Sequence, residues 1–242
     1  MLSNIEINQY PPLLMPKTWH YENYTYTLTV FPFGRYLINT LTIALPSVLG
    51  VLITSSLSAY SFSRLNFPLK KFWFTLVIGS MLMPAAVTII PIFMGWSFVG
   101  FGNSYIPLIV PAFLGGGAFN IFLIRQFLLT IPRELDEAAY MDGANHLQIL
   151  FRLLLPLIKP VLITVSLFTF ILYWNDVMGP LIYVSRNEMN TISQALTNFK
   201  SGYGTDWKSI MAASTMSIVP SVFLYFIGQR YFVEGIVLTG LK

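Results

Sequence analysis

Residues 36–63 of the chain read YLINTLTIALPSVLGVLITSSLSAYSFS, an apolar stretch without a charged side chain that Arg35 and Arg64 enclose. One helix that crosses a membrane needs about 20 mostly apolar residues, so this stretch is long enough to be such a helix. Of the 242 residues, 55% are hydrophobic and only 10% are charged. Ordinary soluble domains carry about 25% charged residues. The composition argues against a soluble domain, and also against disorder, which requires low hydrophobicity.

Further apolar stretches follow this first one. The chain between residues 72 and 124 has no charge and is too long for one span, so turn residues near Gly95–Ser104 are expected to divide it. The sequence predicts an all-α polytopic membrane helix bundle of about five spans, near residues 36–63, 72–94, 105–124, 160–184 and 209–229. We treat residues 1–242 as a single transmembrane domain.

Prolines and glycines interrupt several of these stretches: Pro46, Pro84, Pro91, Pro107, Pro111 and Gly115–Gly117. Membrane helices tolerate such residues where neighbouring helices or water satisfy the freed backbone groups. Two interpretations therefore remain open. The residues could kink the helices of an ordinary bundle, or the broken helices could line a pathway through it.

The positions of the lysines and arginines set the expected orientation. With alternating spans, nine of them fall on one side: Arg64, Lys70, Lys71, Arg125, Arg133, Arg152, Lys159, Arg230 and Lys242. The other five are Lys17, Arg35, Arg186, Lys200 and Lys208. Because basic loops remain in the cytoplasm, the first side and the C-terminus are expected inside. Five spans would then leave the N-terminus outside, so we expect either that a first span is missing from this chain or that the N-terminal segment is exported by another route.

Residues used in catalysis and metal binding are scarce. The chain has no cysteine and only two histidines, so no catalytic or metal site is expected. It has no Gly-Lys pair, which the phosphate-binding loop of a P-loop ATPase requires, so any ATP would be hydrolysed by another chain. Residues 1–15 lack the basic start, apolar core and cleavage site of a signal peptide.

One substantial polar segment, residues 131–156, lies between spans on the expected inner side. Pro132 suits the first turn of a helix, and Gly143 is expected to end that helix. Asn145 can cap a second helix. The first helix carries acidic residues near its positive end: Glu134, Asp136 and Glu137. The second has one apolar face: Leu147, Leu150, Phe151 and Leu154. Spacing alone leaves open whether this pair rests on lipid headgroups or contacts another protein.

This segment resembles the EAA loop of ABC importer permeases, in which EAA, three residues, Gly, nine residues, Ile, one residue and Leu-Pro follow one another. The matching residues are Glu137, Ala138, Ala139, Gly143, Leu153, Leu155 and Pro156, with Leu153 where isoleucine is usual. Other stretches are similar to the maltose-type, carbohydrate-uptake branch: Leu57–Arg64, Phe67-Pro68, Ile124–Phe127, Ile131-Pro132, Trp174–Asp176 and Gly235–Lys242. Such permeases usually have six spans, and residues 1–35 resemble the external segment after the first span.

The resemblance implies a bacterial plasma-membrane permease subunit of an ATP-driven sugar importer, not an enzyme. It implies a second permease subunit, a cytoplasmic ATPase dimer that binds ATP and Mg, an external solute-binding protein and surrounding lipid, with no nucleic acid. This chain itself would bind no cofactor. The loop that couples transport to the ATPase would comprise Glu137, Ala138, Ala139, Asp142, Gly143 and Pro156. Glu137 would pair with a basic group of the ATPase, and Gly143 would allow the turn between the two helices.

Weaker candidates lie on the expected outer side. Trp174, Asn175 and Asp176 could belong to the substrate path, because an ionisable residue within an apolar stretch is a functional candidate. They could equally belong to the polar interface of the membrane. The polar loop 185–208 is a candidate contact for the solute-binding protein, or a solvated connector.

Three alternatives to a sugar importer remain at this point. The chain could be a permease of the same superfamily for another solute, such as a polyamine or an osmolyte. It could be an inactive, truncated subunit. It could also be an ion-coupled transporter or channel, although that class would call for charges near the middle of the membrane and often for inverted repeats.

Overall fold

The computed structural model describes residues 10, 20–197, 200–201, 204–205 and 207–240. Some residues used in the sequence predictions lie outside this part: Lys17, Asn198, Gly202 and Lys242. The helices are α1 (Glu22–Val30), α2 (Phe33–Arg64), α3 (Lys70–Ser80), α4 (Ala85–Phe98), α5 (Ile106–Phe113), α6 (Ala118–Thr130), α7 (Glu134–Met141), α8 (His146–Leu157), α9 (Lys159–Trp174), α10 (Met178–Tyr183), α11 (Ile192–Thr197) and α12 (Trp207–Gly240).

The expected all-α class is confirmed. Besides the helices, the described residues contain a 3-10 turn at Asn187–Met189 and a short antiparallel pair, Lys200–Ser201 with Gly204–Thr205. The pair is two residues long on each side and does not change the architecture.

Helix α2 is the centre of the bundle and packs against α5, α6 and α9, while α12 packs against α9 and α1. The largest apolar core lies where α2, α6, α8 and α9 meet, and fully buried side chains there include Ile124, Leu128, Leu150 and Val165. Helix α2 continues through Pro46. Several of its hydroxyl side chains bind the carbonyl four residues earlier, including Thr40, Thr42, Thr54 and Ser61.

Two pairs of consecutive helices are sharply bent. Helices α3 and α4 meet at 100°, and α8 and α9 meet at 83°. The first bend falls in the stretch expected to be a single span at 72–94, where the chain leaves helical geometry before Pro84. Pro84 itself is extended and precedes α4, and its ring disfavours helical geometry in Met83, the residue before it. The stretch predicted as a span at 72–94 therefore consists of parts of two helices, and its crossing of the membrane remains a prediction.

A glycine run separates α5 from α6 within the stretch expected to span at 105–124. Gly116 and Gly117 both have positive φ, at 66° and 81°. A Cβ on Gly116 would lie 2.6 Å from the backbone nitrogen of Ser55 on α2, so only glycine lets this break approach α2 so closely. The break thus places the start of α6 against the middle of α2.

Among the residues that the structure describes, three segments are long and apolar enough to cross a membrane: Phe33–Arg64, Ile106–Thr130 and Trp207–Gln229. The number rises to five if each bent pair is one span. The chain from 160 to 184 is not one helix, because α9 ends at Trp174 and α10 begins at Met178. The five spans and their bounds remain predictions, since length and composition do not fix where a membrane lies.

Candidate functional site

The helix pair expected in residues 131–156 is present as α7 and α8. Helix α7 begins at Glu134, so Pro132 lies just outside it rather than in its first turn. Gly143 ends it with φ at +81°. The Gly143 N–H donates to the Tyr140 carbonyl at 2.9 Å, and the Ala144 N–H donates to the Ala139 carbonyl at 3.0 Å. These two bonds form the Schellman end of a helix, which favours glycine at this position.

Asn145 caps α8, as expected. Its Oδ1 accepts from the Gln148 N–H at 2.9 Å, and the Asn145 N–H donates to Gln148 Oε1 at 2.8 Å. This reciprocal pair is a capping box. It fixes the start of α8 directly after the turn at Gly143, so the angle between the two helices is set by local sequence.

The expected apolar face of α8 is partly wrong. Leu150 and Leu154 are fully buried, but Leu147 and Phe151 are 59% and 49% exposed, and Ile149 is buried instead. The cause is a π-helical segment over Ile149–Leu154. Each of its turns holds more residues than an α-helical turn, so residues spaced for an α-helix no longer share one face.

A buried ion pair attaches α7 to the end of α2. Arg64 Nε lies 2.8 Å from Asp136 Oδ2, and the two side chains are 5% and 10% exposed. Arg64 Nη2 also donates to the Ile131 carbonyl at 2.9 Å, and Arg133 Nη2 donates to the Ser63 carbonyl at 3.2 Å. Cations near the C-terminal carbonyls of α2 are favourable for its dipole. Burial raises the pKa of the Asp136 carboxyl above its ordinary value, and the charge of Arg64 opposes that rise.

A second contact joins α7 and α8 to α2. The hydroxyls of Tyr60 and Tyr140 both reach Nδ1 of His146, the former at 3.0 Å. Both rings also meet the imidazole edge-on, with centroids 6.2 Å and 5.3 Å away. Nδ1 has a single lone pair, so with the ring proton on Nε2 it can accept a full hydrogen bond from one of the two phenols at a time. No role was predicted from the sequence for any of these three residues.

The residues expected to couple to an ATPase lie on the outer side of this element. Glu137, Ala138, Asp142, Gly143 and Pro156 are exposed, whereas Ala139 is half-buried against the core. Large apolar side chains accompany them on α7: Leu135 and Tyr140, each 42% exposed, and Met141, 88% exposed. We call the exposed residues from Leu135 to Gly143, without Asp136 and Ala139, the α7 outer face.

A notch adjoins this face between the two helices. Its volume is about 310 Å³, and Ala139, Asp142, Gly143 and Arg152 contribute to its wall. The small side chains of Ala139 and Gly143 keep it open. One carboxylate and one guanidinium on its wall give the notch groups of both charges, so it suits a protein side chain better than an apolar ligand.

Each of the three residues predicted for the substrate path, Trp174, Asn175 and Asp176, makes a hydrogen bond within the protein. Trp174 is 2% exposed, and its Nε1–H donates to the Ser217 carbonyl at 3.1 Å. Asn175 Nδ2 donates to the Ile171 carbonyl at 2.9 Å, and Asp176 Oδ1 accepts from the Gly179 N–H at 3.0 Å. These bonds hold the end of α9 and the start of α10. A role of the three residues in the substrate path remains a prediction.

The expected outer loop is partly described. Asn39 of α2 donates from Nδ2 to the carbonyls of Glu188 and Asn190, at 2.8 Å and 2.9 Å. Tyr105 donates to the Met189 carbonyl at 2.7 Å. This stretch is therefore anchored to α2 and to the residue before α5. Within the described residues, no group of three or more histidines, cysteines and acids could hold a metal ion.

Comparison with known proteins identifies relatives along nearly the whole chain. Residues 47–237 match the family described as "Binding-protein-dependent transport system inner membrane component". The chain is 32% identical to the probable ABC transporter permease protein YurM of Bacillus subtilis strain 168, over 94% of this chain and 76% of that protein. It is also 32% identical to the sn-glycerol-3-phosphate transport system permease protein UgpE of Yersinia enterocolitica, over 98% of this chain and 86% of that protein.

Among solved structures, the fold is similar to a chain in the crystal structure of a bacterial ABC transporter involved in the import of the acidic polysaccharide alginate. The TM-score is 0.82 at 26% identity, and the match covers 96% of this chain and 86% of that chain.

Proposed function

Because the chain belongs to the family of inner-membrane components of binding-protein-dependent transport systems, we propose that it is one permease half of an ATP-driven importer for sugars. It is an ABC importer permease, a membrane transport subunit and not an enzyme. The maltose-type, carbohydrate-uptake branch is the finer assignment that we propose. The sequence motifs support it, and so does the similarity to a permease named for sn-glycerol 3-phosphate and to an alginate importer.

The observation that carries the proposal is the α7 outer face. It presents Glu137 and Ala138 outward, while Asp136 and Ala139 of the same helix face the bundle. A short exposed helix with apolar and acidic groups suits a groove on another protein. The inner side of α7 is bound to α2 through the ion pair of Asp136 with Arg64, so a force on α7 would be transmitted to the central helix of the bundle.

In this proposal a cytoplasmic ATPase dimer, which binds ATP and Mg, receives the α7 outer face in a cleft. Glu137 pairs with a basic group of the ATPase, and Ala138 lets the helix approach closely. Closure of the ATPase moves α7 and α8, and thereby α2, between two arrangements of the bundle. Two distinct sites are then coupled through one two-state element, which is the physical content of an allosteric link.

The remaining parts of the proposal follow the orientation predicted from charge. The C-terminus and the α7–α8 pair lie in the cytoplasm of a bacterial cell, and the stretch around Asn187–Met189 faces outward towards a solute-binding protein. A second permease subunit supplies the other half of the path. That a first span is missing from this chain remains a prediction.

The test uses the complex assembled with its ATPase, partner permease and binding protein in proteoliposomes. We expect Glu137→Arg and Gly143→Pro to abolish sugar-stimulated ATP hydrolysis and sugar uptake together. Glu134→Gln, on the first turn of the same helix, is the matched control and should leave both activities intact. Unchanged stimulation and uptake in assembled Glu137→Arg and Gly143→Pro complexes would refute the role of the α7 outer face.

A further inference from the structure

A partly open groove of about 360 Å³ lies between α2, α3 and the glycine break before α6. Apart from Ser58 and Ser80, the side chains of its wall are apolar, and no charged residue lines it. Four larger apolar residues contribute to it: Phe62, Val77, Leu114 and Ile121. Such a wall offers a polar ligand few hydrogen bonds, so the groove suits a hydrocarbon chain.

Basic side chains gather at the end of the groove where α2 ends. Three of them donate to carbonyls of this helix end: Arg125 Nε to Phe62 at 3.1 Å, Arg133 Nη2 to Ser63 at 3.2 Å and Lys70 Nζ to Leu65 at 2.6 Å. Lys71 follows in the first turn of α3 and is exposed. We call Lys70, Lys71, Arg125 and Arg133 the basic cluster.

The groove and the basic cluster are continuous. Phe62 lines the groove, and the centroid of its ring lies 5.3 Å from that of Phe74. The Arg125 guanidinium lies over the same Phe74 ring, 4.2 Å from its centroid. Lys70, Phe74 and Val77 are spaced by four and then three residues, so they lie on one face of α3. A molecule in the groove would therefore meet the basic cluster at one end.

The protein does not balance the charge of the basic cluster within the described residues. Arg64, which lies beside it, is paired with Asp136, but no member of the cluster forms an ion pair. Each of the three cations bound to α2 uses one N–H group there, whereas an ammonium has three and a guanidinium five. N–H groups therefore remain for an anion, and these two cations are the usual partners of phosphate.

The position and length of the site fit a lipid. Exposed Phe72 and Trp73 adjoin the two lysines, and tryptophan beside basic residues is typical of the level of lipid headgroups. Helix α3 has 11 residues, about 16 Å, from Lys70 in the cluster to Ser80 at the groove wall. One leaflet supplies half of a hydrocarbon core about 30 Å thick, so the groove and the cluster together have the length of one acyl chain with its headgroup.

We propose that this site binds one anionic phospholipid, with its phosphate at the basic cluster and one acyl chain in the groove. The inference goes beyond the transport function proposed above, because it assigns a lipid to a particular surface of the chain. Free phosphate would use the cations but not the groove. A helix of the partner permease would fill the groove without needing an anion at its end. The charge of the cluster and the apolar groove are both accounted for by a phospholipid.

Native mass spectrometry of the transporter, assembled with its ATPase and partner permease, measures the binding of added lipid. The probes are dioleoyl phosphatidylglycerol, dioleoyl phosphatidylethanolamine, which has the same chains and no net charge, and inorganic phosphate. We expect Lys71→Gln to weaken phosphatidylglycerol binding roughly fivefold, and Lys70→Gln with Lys71→Gln roughly thirtyfold, because each cation near a membrane surface attracts anionic lipid by about that factor. Lys71→Arg keeps the charge and should bind within about twofold of wild type.

The groove is tested separately from the charges. Ala118→Trp fills it and leaves every cation in place, and should weaken phosphatidylglycerol binding by roughly tenfold or more. Two exposed positions outside the site serve as matched controls that should bind like wild type: Lys159→Gln at the start of α9 and Leu129→Trp on α6. The Lys71 side chain forms no hydrogen bond or ion pair within the described part of the chain, so Lys71→Gln should keep the wild-type melting temperature in lipid-free detergent.

Four results would each overturn the site. The first is equal affinity of the wild type for the two phospholipids. The second is wild-type binding of phosphatidylglycerol by the double lysine variant or by Ala118→Trp. The third is displacement of phosphatidylglycerol by an equimolar amount of inorganic phosphate, which would show that the cluster binds a free anion. The fourth is binding to the full chain alone but not to the assembled transporter, which would show that another subunit covers the groove.

Discussion

Arg64 at the end of α2 and Asp136 on α7 form a buried ion pair, with 2.8 Å between Nε and Oδ2. The pair joins the central helix of the bundle to the short helix whose outer face carries Glu137 and Ala138. The other two charged residues of α7, Glu134 and Glu137, are exposed. The pair therefore determines which side of α7 faces the bundle and which side is free to bind a partner.

Removing the carboxylate should cost stability according to what replaces it. Asp136→Leu leaves the Arg64 guanidinium buried without its counter-charge, and we expect the free energy of unfolding to fall by about 3 kcal/mol. Asp136→Asn removes the same counter-charge but keeps the size of the side chain and a polar oxygen beside the guanidinium, and should cost less than Asp136→Leu. Unfolding of the purified chain in SDS–detergent mixtures measures both changes. Equal losses of unfolding free energy in the two variants would contradict this expectation, and would show that the missing carboxylate charge alone determines the loss.

Stability should depend on pH through Asp136. Burial raises the pKa of this carboxyl above its ordinary value, so the folded protein binds the proton more tightly than the unfolded chain does. This contribution is complete at pH values below the ordinary pKa, and it is lost as the pH rises through the pKa of the folded state. Asp136→Asn cannot titrate. Its melting temperature should therefore gain on that of wild type as the pH rises above about 4, the ordinary pKa of this group, and a constant difference would contradict the raised pKa.

The stability of Gly143 variants should depend on the backbone conformation at this position and not on contacts of the new side chain. Its φ is +81°, and a Cβ there would meet no atom within 4 Å. Gly143→Ala is expected to destabilise the protein by about 1 kcal/mol, because a left-handed backbone strains alanine. Gly143→Asn should cost less, since asparagine tolerates that region. Gly79→Ala, also without a neighbour within 4 Å but without a positive φ, is the control and should be neutral or stabilising in thermal unfolding.

The orientation can be tested by single-cysteine labelling, because the chain has no cysteine of its own. Glu137→Cys and Asn187→Cys lie in exposed positions on the two expected sides. A membrane-impermeant maleimide added to intact spheroplasts should label Asn187→Cys and spare Glu137→Cys. Lysed membranes should give labelling of both. The opposite pattern would place α7 outside the cell, where no ATPase could reach it.

Several parts of the fold follow from local sequence. Charge-free stretches predicted the positions of α2 and α12, because burying apolar side chains in lipid depends on composition and length alone. The turn at Gly143 and the cap at Asn145 were also predictable, since both depend on residues within one helical turn. The angle between α3 and α4 was not, although Pro84 marks where the helix breaks. A proline shows where a helix ends, but packing decides in which direction the chain continues.

In the candidate site, too, some features were predictable from local sequence and others depend on packing. The motif of Glu137, Ala138 and Ala139 indicated the coupling element. Its connection to the bundle, through Arg64 and through Tyr60 with His146, could not be predicted, because these contacts join residues far apart in the chain. In α8, a π-helical segment replaced the expected face with another, which no periodicity of the sequence indicates.

The sequence by itself determined that this chain is an all-helical membrane protein, and it predicted the segment at residues 131–156 that is proposed to meet an ATPase. These features depend on composition and on short motifs. Only the tertiary structure decided that Asp136 faces inward and Glu137 outward, and that Trp174 is held by α12. Each of these depends on which helices pack together, and packing is a property of the whole chain.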